Sequence, residues 1–426
     1  MASAAKAKSS RSKTENKQVR KSGLWSIFGG RSSDMSLSLF AYIMILLVVG
    51  LVMMSSASYA WAYSDFGDGL YYAKHQAVFA VIGFAAMIFF MKFDYHNFKK
   101  TEIPFFRKFN MAAVLYIVVA LLLVAVLIVG NTEGGSMGAK RWISIGPIDL
   151  QPSEVAKFAL IIFFAYSMER DGKRMNMFSV GIGKYIAFLG LYVGLIALEK
   201  HISCIMLLGS VAVAMILCGG ANKKQFIFLG IAAIVVAYFY IATQAKDPDS
   251  YVSTRIKSWK DPFADVLNDT WQTTNSIIAI GSGGLFGLGL GNSRQKYLYL
   301  PETKNDFVFP IVCEEIGFVG ALAIIIVFFL LVVEGYSIAV RCKDRFGMLL
   351  AVGITTQIGI QTVLNLAVVS NLIPNTGISL PFFSYGGTAL IMQLAEMGIL
   401  LNVSQHRQYK PDKNVTPEAE NEPEKE

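Results

Sequence analysis

The chain is poor in charged residues and in side chains that bind metals. Lys, Arg, Asp and Glu make up only 16% of its 426 residues, against 54% hydrophobic residues, whereas a soluble domain carries about 25% charged residues. The four cysteines have no CxxC spacing and the four histidines are scattered, which argues against a disulfide framework or a zinc site. The charge deficit predicts an all-α polytopic membrane protein. The net charge of +8 fits membrane topology better than nucleic-acid binding, so no nucleic-acid partner is expected.

Ten apolar stretches are candidates for membrane-spanning helices, which need about 20 residues each. They lie at 37–57, 76–91, 110–130, 155–168, 177–198, 203–219, 225–243, 307–334, 347–370 and 384–403, the fourth and sixth being short. The positive-inside rule places Lys and Arg in short cytoplasmic loops. Every loop on the side of the chain ends carries such residues, namely Lys92, Lys99, Lys100, Arg107, Lys108, Arg170, Lys173, Arg174, Lys223, Lys224, Arg341, Lys343 and Arg345. We therefore predict ten helices with both termini in the cytoplasm.

Three regions follow from this count. Residues 1–35 are polar and basic without the pattern of a cleavable signal peptide, and predict a disordered cytoplasmic arm. Residues 36–404 hold the ten helices, and residues 244–306 form a large extracellular loop between the seventh and eighth. Residues 405–426 are charged and contain proline, which predicts a disordered cytoplasmic tail. The sequence shows no strong internal repeat, so the inverted-repeat architecture of transporters has no support.

The outer loop at 131–154 combines cations with an aromatic ring. Lys140 and Arg141 stand beside Trp142, and the segment from Pro152 resembles the first turn of a helix with Glu154 near its N-terminus. Lys157 follows one turn inside. Two interpretations stay open: an interfacial Trp with cations reaching for the membrane surface, or a cationic rim that holds a phosphate-bearing headgroup. The short outer turn Glu199-Lys200-His201 predicts a hinge.

The long outer loop carries the most unusual composition. Its aromatic residues and the apolar run 277–280 predict a short helix on or in the membrane, and six glycines between Gly281 and Gly291 predict a re-entrant or closely packed turn. Asp306 stands just before an apolar run that contains Glu314 and Glu315, and acids in such runs usually have a function. Prolines and glycines in residues 371–388 predict a loop folded over an outward-facing cavity, or else a rigid turn.

Three blocks together resemble a known family. GAKRWISIGPIDLQPSEVAKF, GSGGLFGLGLGNSRQKYLYLPETKNDFVFPIVCEEIGFVG and PNTGISLPFFSYGGTAL are similar to the signature blocks of the SEDS (shape, elongation, division, sporulation) peptidoglycan polymerases, exemplified by FtsW, RodA and SpoVE. The resemblance spans residues 37 to 403. Within it, NSRQKYLYLPE is more similar to the FtsW/SpoVE division-type branch than to RodA. The family often has His-Thr before the loop aspartate, where this chain has Lys304-Asn305, and Glu-Pro in the turn where it has Glu199-Lys200.

The resemblance implies a glycosyltransferase that polymerises lipid II on the outer face of the cytoplasmic membrane, for septal wall synthesis. The family's essential aspartate falls on Asp306, which is the candidate general base for the acceptor hydroxyl. The expected substrate-binding residues are Arg141, Trp142, Lys157, Arg255, Lys296, Glu314 and Ser384; for Glu314 and Glu315 a bracing role is the competing interpretation. A divalent cation, magnesium or manganese, is a further candidate for stabilising the leaving pyrophosphate. Expected partners are undecaprenyl-pyrophosphate-linked glycan, a class B penicillin-binding protein transpeptidase and other divisome proteins.

Three other functions stay open at this stage. A lipid II flippase would use the same charged groups to handle the headgroup. A non-catalytic scaffold would bind the transpeptidase without polymerising lipid II. An elongation- or sporulation-type polymerase would perform the same reaction in another cellular process.

Overall fold

The structure, a computed structural model, describes residues 35–99, 110–131, 140–145, 148–222, 224–225, 227, 230, 251–268 and 270–405. Eleven α-helices lie in these ranges: α1 Leu37–Phe66, α2 Tyr71–Lys92, α3 Met111–Val129, α4 Pro152–Asp171, α5 Ser179–Leu198 (one π-helical turn, then α), α6 Ile202–Cys218, α7 Tyr251–Lys260, α8 Trp271–Ser282, α9 Val308–Arg341, α10 Arg345–Val369 and α11 Gly387–Ser404. Short 3₁₀ helices cover Tyr95–Lys99 and Gly172–Asn176, and one antiparallel pair joins β1 Ile143–Ile145 to β2 Ile148–Leu150.

Nine of the ten predicted spans coincide with helices of the described residues, whereas the seventh, 225–243, lies mostly outside them. Within these ranges, seven helices are long and apolar enough to cross a membrane: α1, α2, α3, α5, α9, α10 and α11. α4 is less apolar and α6 is only 17 residues long, matching the two stretches that the sequence shows as short. The predicted arm and tail lie outside the described residues, apart from Met35 and Gln405. The total of ten helices and the cytoplasmic ends stay predictions.

Local sequence explains how several helices begin. Ser36 caps α1, where its hydroxyl accepts a hydrogen bond from the Leu39 amide at 3.4 Å, and Asn110 caps α3 in the same way through Ala113 at 2.7 Å. Such caps satisfy amides that have no partner within the helix. α4 begins with Pro152 and has Glu154 in its first turn, which confirms the helix start expected from the sequence.

α4, α10 and α11 form the buried centre, and α2 packs along α11. Glycine lets α2 and α11 come close: a Cβ on Gly398 would lie 2.4 Å from the Met87 carbonyl oxygen. Small residues at such crossings are typical of helices that pack within membranes. The segment described next precedes α9 and contacts Asn365 of α10 and Ser384, which precedes α11.

Candidate active site

The segment that contains Asp306 is fixed to the first two helices by its side chains. Thr303 is fully buried, and its hydroxyl donates to the carbonyl of Ala57 on α1 at 2.8 Å. The ammonium of the next residue, Lys304, donates to the Tyr72 hydroxyl on α2 at 2.5 Å and lies 3.9 Å from the centre of that ring. A cation held on a ring face in this way adds to the hydrogen bond. The chain just before Asp306 is therefore immobilised on two separate helices.

The backbone of the same segment is held by α10 and by the loop at 371–386. The amide group of Asn365 on α10 donates to the Asp306 carbonyl at 2.8 Å and to the Ile378 carbonyl at 2.6 Å. The Ser384 hydroxyl donates to the carbonyl of Asn305 at 2.6 Å. Because Asn365 is fully buried, these bonds do not compete with water and hold the two loops together. The structure thus gives Ser384 a contact with the aspartate segment.

The carboxylate of Asp306 lacks the partners that its backbone has. It makes no ion pair or hydrogen bond within the described ranges, and a Cβ added to Gly377 would lie 3.1 Å from its Oδ2. Burial, with a smaller contribution from the negative charge of Glu302, raises the pKa of Asp306 to about 7. Arg141 and Arg255 act in the opposite direction, which places both guanidinium groups close enough to feel this carboxylate. A carboxyl group with a pKa near neutrality suits general-base catalysis.

Arg141 is held in place by a turn from a distant part of the chain. Its Nε donates to the Glu199 carbonyl at 3.2 Å and its Nη2 to the Lys200 carbonyl at 2.6 Å. The neighbouring Trp142 is half-buried, and its carbonyl accepts from the amide of Asn131 at 2.8 Å. The guanidinium therefore has a fixed orientation and keeps other N–H groups for an anion. Sequence reasoning treated Glu199-Lys200 as a hinge and missed that its carbonyls orient Arg141.

Two titratable groups of that turn lie near Arg141, the buried Glu199 and the half-buried His201. Glu199 is only 1% exposed and neither carboxylate oxygen has a partner in the described part of the chain; burial raises its pKa to about 8, against the opposing charge of Arg141. His201 lies 3.4 Å from the Ser153 hydroxyl, and burial lowers its pKa to about 3, helped by the positive charges of Arg141 and Lys157. At neutral pH both groups are mainly uncharged, so the positive charge of Arg141 is not cancelled.

Lys157 lies deeper, inside α4. Its ammonium forms a 2.7 Å ion pair with Glu154, one turn back, and both side chains are buried. On α11, Glu396 is fully buried and accepts from the amide of Gln357 at 2.7 Å. The charges of Lys157 and Glu396 influence each other, so polar groups continue from Arg141 into the helix bundle. Glu396 was missed at the level of sequence, although an acid in an apolar helix could have indicated it.

Lys296, Glu314 and Glu315 form a separate cluster that braces the long loop. Lys296 makes a 2.9 Å ion pair with Glu315, which also accepts from the Ser56 hydroxyl at 2.7 Å. Glu314 accepts hydrogen bonds from the Ser293 hydroxyl and from the backbone amides of Arg294 and Gln295. All three charged side chains are nearly fully buried. The contacts therefore favour the bracing interpretation of Glu314 and Glu315 and extend it to Lys296.

Metal binding has little support from these residues. In the ranges described, no three His, Cys, Asp or Glu side chains lie in a group that could hold a metal ion. The expected magnesium or manganese ion stays a prediction.

Comparison with known proteins places the chain in a family. The model of the FtsW, RodA and SpoVE family, described as cell cycle proteins, matches residues 37–409. The chain is 35% identical over 362 residues to a probable peptidoglycan glycosyltransferase FtsW of Geobacter metallireducens, covering 85% of this chain and 92% of the relative. It is 38% identical over 371 residues to stage V sporulation protein E of Bacillus subtilis, covering 86% and 96%.

Solved structures share the fold. A chain of a peptidoglycan synthase complex that coordinates polymerization and crosslinking superposes with a TM-score of 0.69 at 23% identity, covering 88% of this chain and 98% of that one. The rod shape determining protein RodA of Thermus thermophilus superposes with a TM-score of 0.62 at 23% identity, over 88% and 98%. The chain is a polytopic helical membrane protein, and it belongs to the FtsW/RodA/SpoVE family.

Proposed function

We propose that the protein is a peptidoglycan glycosyltransferase that polymerises lipid II at the outer face of the cytoplasmic membrane. The observation that carries this proposal is the half-buried carboxylate of Asp306, held on an immobilised backbone near two arginines and without a partner of its own among the described residues. Relatives named probable peptidoglycan glycosyltransferase agree with this class of reaction.

In the proposed reaction the growing glycan on undecaprenyl pyrophosphate is the donor. The 4-hydroxyl of the terminal GlcNAc on an incoming lipid II attacks the anomeric carbon of the donor, and the bond from that carbon to the pyrophosphate breaks. Asp306 takes the hydroxyl proton as the new glycosidic bond forms, and undecaprenyl pyrophosphate leaves. A general base of this kind contributes roughly 10²–10⁴-fold to the rate.

The negative charge that develops on the pyrophosphate needs compensation. Arg141 is suited to it because its guanidinium is oriented by two carbonyls, so little reorganisation accompanies the reaction. Arg255 and Trp142 would complete the binding surface for the headgroup. Lys157 is paired with Glu154, and we assign it a longer-range electrostatic contribution rather than direct contact.

A role in septal wall synthesis, with localisation at the division site, is the further part of the proposal. Relatives at 35–37% identity carry the name FtsW, which supports this role. The NSRQKYLYLPE block supports it as well, because it is more similar to the FtsW/SpoVE branch than to RodA. A class B penicillin-binding protein is the proposed partner, because a chain with this fold belongs to a solved peptidoglycan synthase complex.

The experiment is polymerisation of purified lipid II by the purified protein, alone and with its transpeptidase, followed by gel analysis of the glycan strands. Asp306→Asn should abolish the product. Asp261→Asn is the matched control, because Asp261 is an exposed aspartate of the same outer loop. Glycan strands of normal yield from Asp306→Asn would reject the assigned base. Translocation of lipid II without any polymer would favour a flippase instead.

A further inference from the structure

The glycine-rich segment after α8 is bonded to a break in α9. In a continuous helix the amides of Phe318 and Val319 would pair with the carbonyls of residues 314 and 315, but Gly317 has a left-handed φ of 68° and interrupts the helix. The Phe318 amide donates instead to the Gly284 carbonyl at 2.9 Å, and the Val319 amide to the Leu285 carbonyl at 3.1 Å.

The break also leaves the carbonyls of Glu314 and Glu315 without partners in α9, and these accept hydrogen bonds from the glycine-rich segment. The amide of Leu288 donates to the Glu314 carbonyl and that of Gly289 to the Glu315 carbonyl, both at 2.9 Å. Glycine is required for this approach, because a Cβ on Gly287 would lie 2.2 Å from the Glu315 carbonyl oxygen. The backbone groups that the break frees are therefore paired with the loop, which is the condition for irregular backbone at membrane depth.

Two polar contacts between α1 and α9 mark the limits of an apolar belt. The Ser36 hydroxyl donates to Glu334 at 2.6 Å at one end, and the Ser56 hydroxyl donates to Glu315 at 2.7 Å at the other. Residues 37–55 of α1 and 316–333 of α9, which lie between these contacts, include no charged side chain. Twenty residues of α-helix rise about 30 Å, which is about the thickness of the hydrocarbon core.

This belt fixes the depth of the loop. Gly317 follows Glu315 by two residues, so it lies about 3 Å inside the outer limit. The segment bonded to residues 318 and 319 has the same depth. Its apolar side chains point outward: Phe286 is 80% exposed, Leu285 63% and Leu290 61%. They continue the exposed apolar face of α9, where Phe318 is 59% exposed.

The chain becomes amphipathic immediately after this segment. Arg294, Tyr297 and Tyr299 are exposed, and tyrosines and cations are enriched at the headgroup level of membranes. The order from Leu285 to Tyr299 is therefore apolar first and interfacial next, as expected for a chain that returns from the hydrocarbon to the surface.

We infer that residues 284–290 form a re-entrant wedge whose side chains Leu285, Phe286, Leu288 and Leu290 contact lipid acyl chains of the outer leaflet. The wedge would anchor the base of the loop that carries Asp306. This inference concerns placement in the membrane and does not depend on the proposed reaction.

The test is photocrosslinking in the full-length protein, reconstituted into vesicles of phosphatidylethanolamine and phosphatidylglycerol with alkyne-tagged acyl chains. Benzoylphenylalanine replaces Phe286 in one variant, Phe329 of α9 in a second and Leu267 in a third. Phe329 and Leu267 are 64% and 73% exposed, so access is similar, but Leu267 lies between α7 and α8 and outside the segment bonded to the α9 break. We expect lipid adducts at 286 and 329 and none at 267.

Absence of lipid adduct at 286, with adduct still formed at 329, would overturn the inference. A crosslink from 286 to another part of the protein would overturn it as well, because the side chain would then lie against protein. A second measurement covers variants that fold poorly: Phe286→Trp should be quenched by brominated acyl chains above the background of the native tryptophans. Unchanged quenching relative to the parent protein would contradict the wedge.

Discussion

The pH dependence of polymerisation tests the assignment of Asp306 most directly. Its pKa is raised from 3.8 to about 7, chiefly by burial, so the basic form is lost as the pH falls through neutrality. About 9% of such a group is ionised at pH 6, about 50% at pH 7 and about 91% at pH 8. We therefore expect kcat/KM for lipid II to rise about tenfold between pH 6 and pH 8, whereas an aspartate of ordinary pKa would give a flat profile.

Arg141 supplies an independent check on this assignment. Its charge lowers the pKa of Asp306, so Arg141→Gln should move the acidic limb to higher pH while some activity remains. Asp261→Asn should leave the limb unchanged, because Asp261 is exposed. The measurement is the initial rate of glycan synthesis in buffers of constant ionic strength. A flat wild-type profile, or an unmoved limb in Arg141→Gln, would refute the reasoning.

The same pKa has a consequence for stability that separates lost chemistry from lost folding. Because the folded-state pKa of Asp306 is above the ordinary value, the folded protein binds more protons than the unfolded chain between about pH 4 and pH 7. The free energy of unfolding therefore decreases as the pH rises through this range. Asp306→Asn removes that penalty. Its thermal midpoint at pH 7.5 should equal or exceed that of the parent, and a clear decrease would contradict the account.

Other predictions concern the residues around the site. Lys296→Met leaves Glu315 buried without its 2.9 Å partner and should destabilise the protein by about 3–5 kcal/mol; adding Glu315→Gln should restore most of the thermal midpoint. Asn365→Leu removes two hydrogen bonds to carbonyls, so glycan synthesis should fall even where gel filtration shows folded protein. Gly377→Ala puts a Cβ 3.1 Å from Asp306 at a φ of 69° and should reduce kcat, while Gly190→Ala, which has open space around it, should not; equal effects would refute the steric argument.

Much of the helical framework could be predicted because membrane helices leave a strong pattern in the sequence. Long apolar runs gave the places of nine helices in the described residues, and Pro152 with Glu154 gave the start of α4. The ends were less certain: α1 extends to Phe66, beyond the predicted limit at 57, because its last turns carry Ser, Tyr, Trp and Asp, which end the apolar run without ending the helix. Hydropathy alone cannot register such an end.

The sequence suggests candidate site residues but not their contacts. Asp306 stands out as an acid just before an apolar run and Arg141 as a cation beside Trp142, whereas the backbone carbonyls that orient Arg141 have no mark in the sequence. Asn365 was missed for a related reason. A single amide in an apolar helix is compatible with many roles, and only the fold shows that it joins two loops that are remote in the chain.

The partners of the acids around the site separate bracing residues from the candidate base. Glu314 accepts three hydrogen bonds, and Glu315 and Glu154 are each paired with a lysine. These contacts hold segments of the chain together. Asp306 has its backbone bonded on one side, while its carboxylate has no partner in the described ranges. Burial makes that carboxylate basic, and the fixed backbone keeps it in position. Glu199 also lacks a partner among the described residues, but it is only 1% exposed, whereas the half-buried Asp306 is open to a substrate.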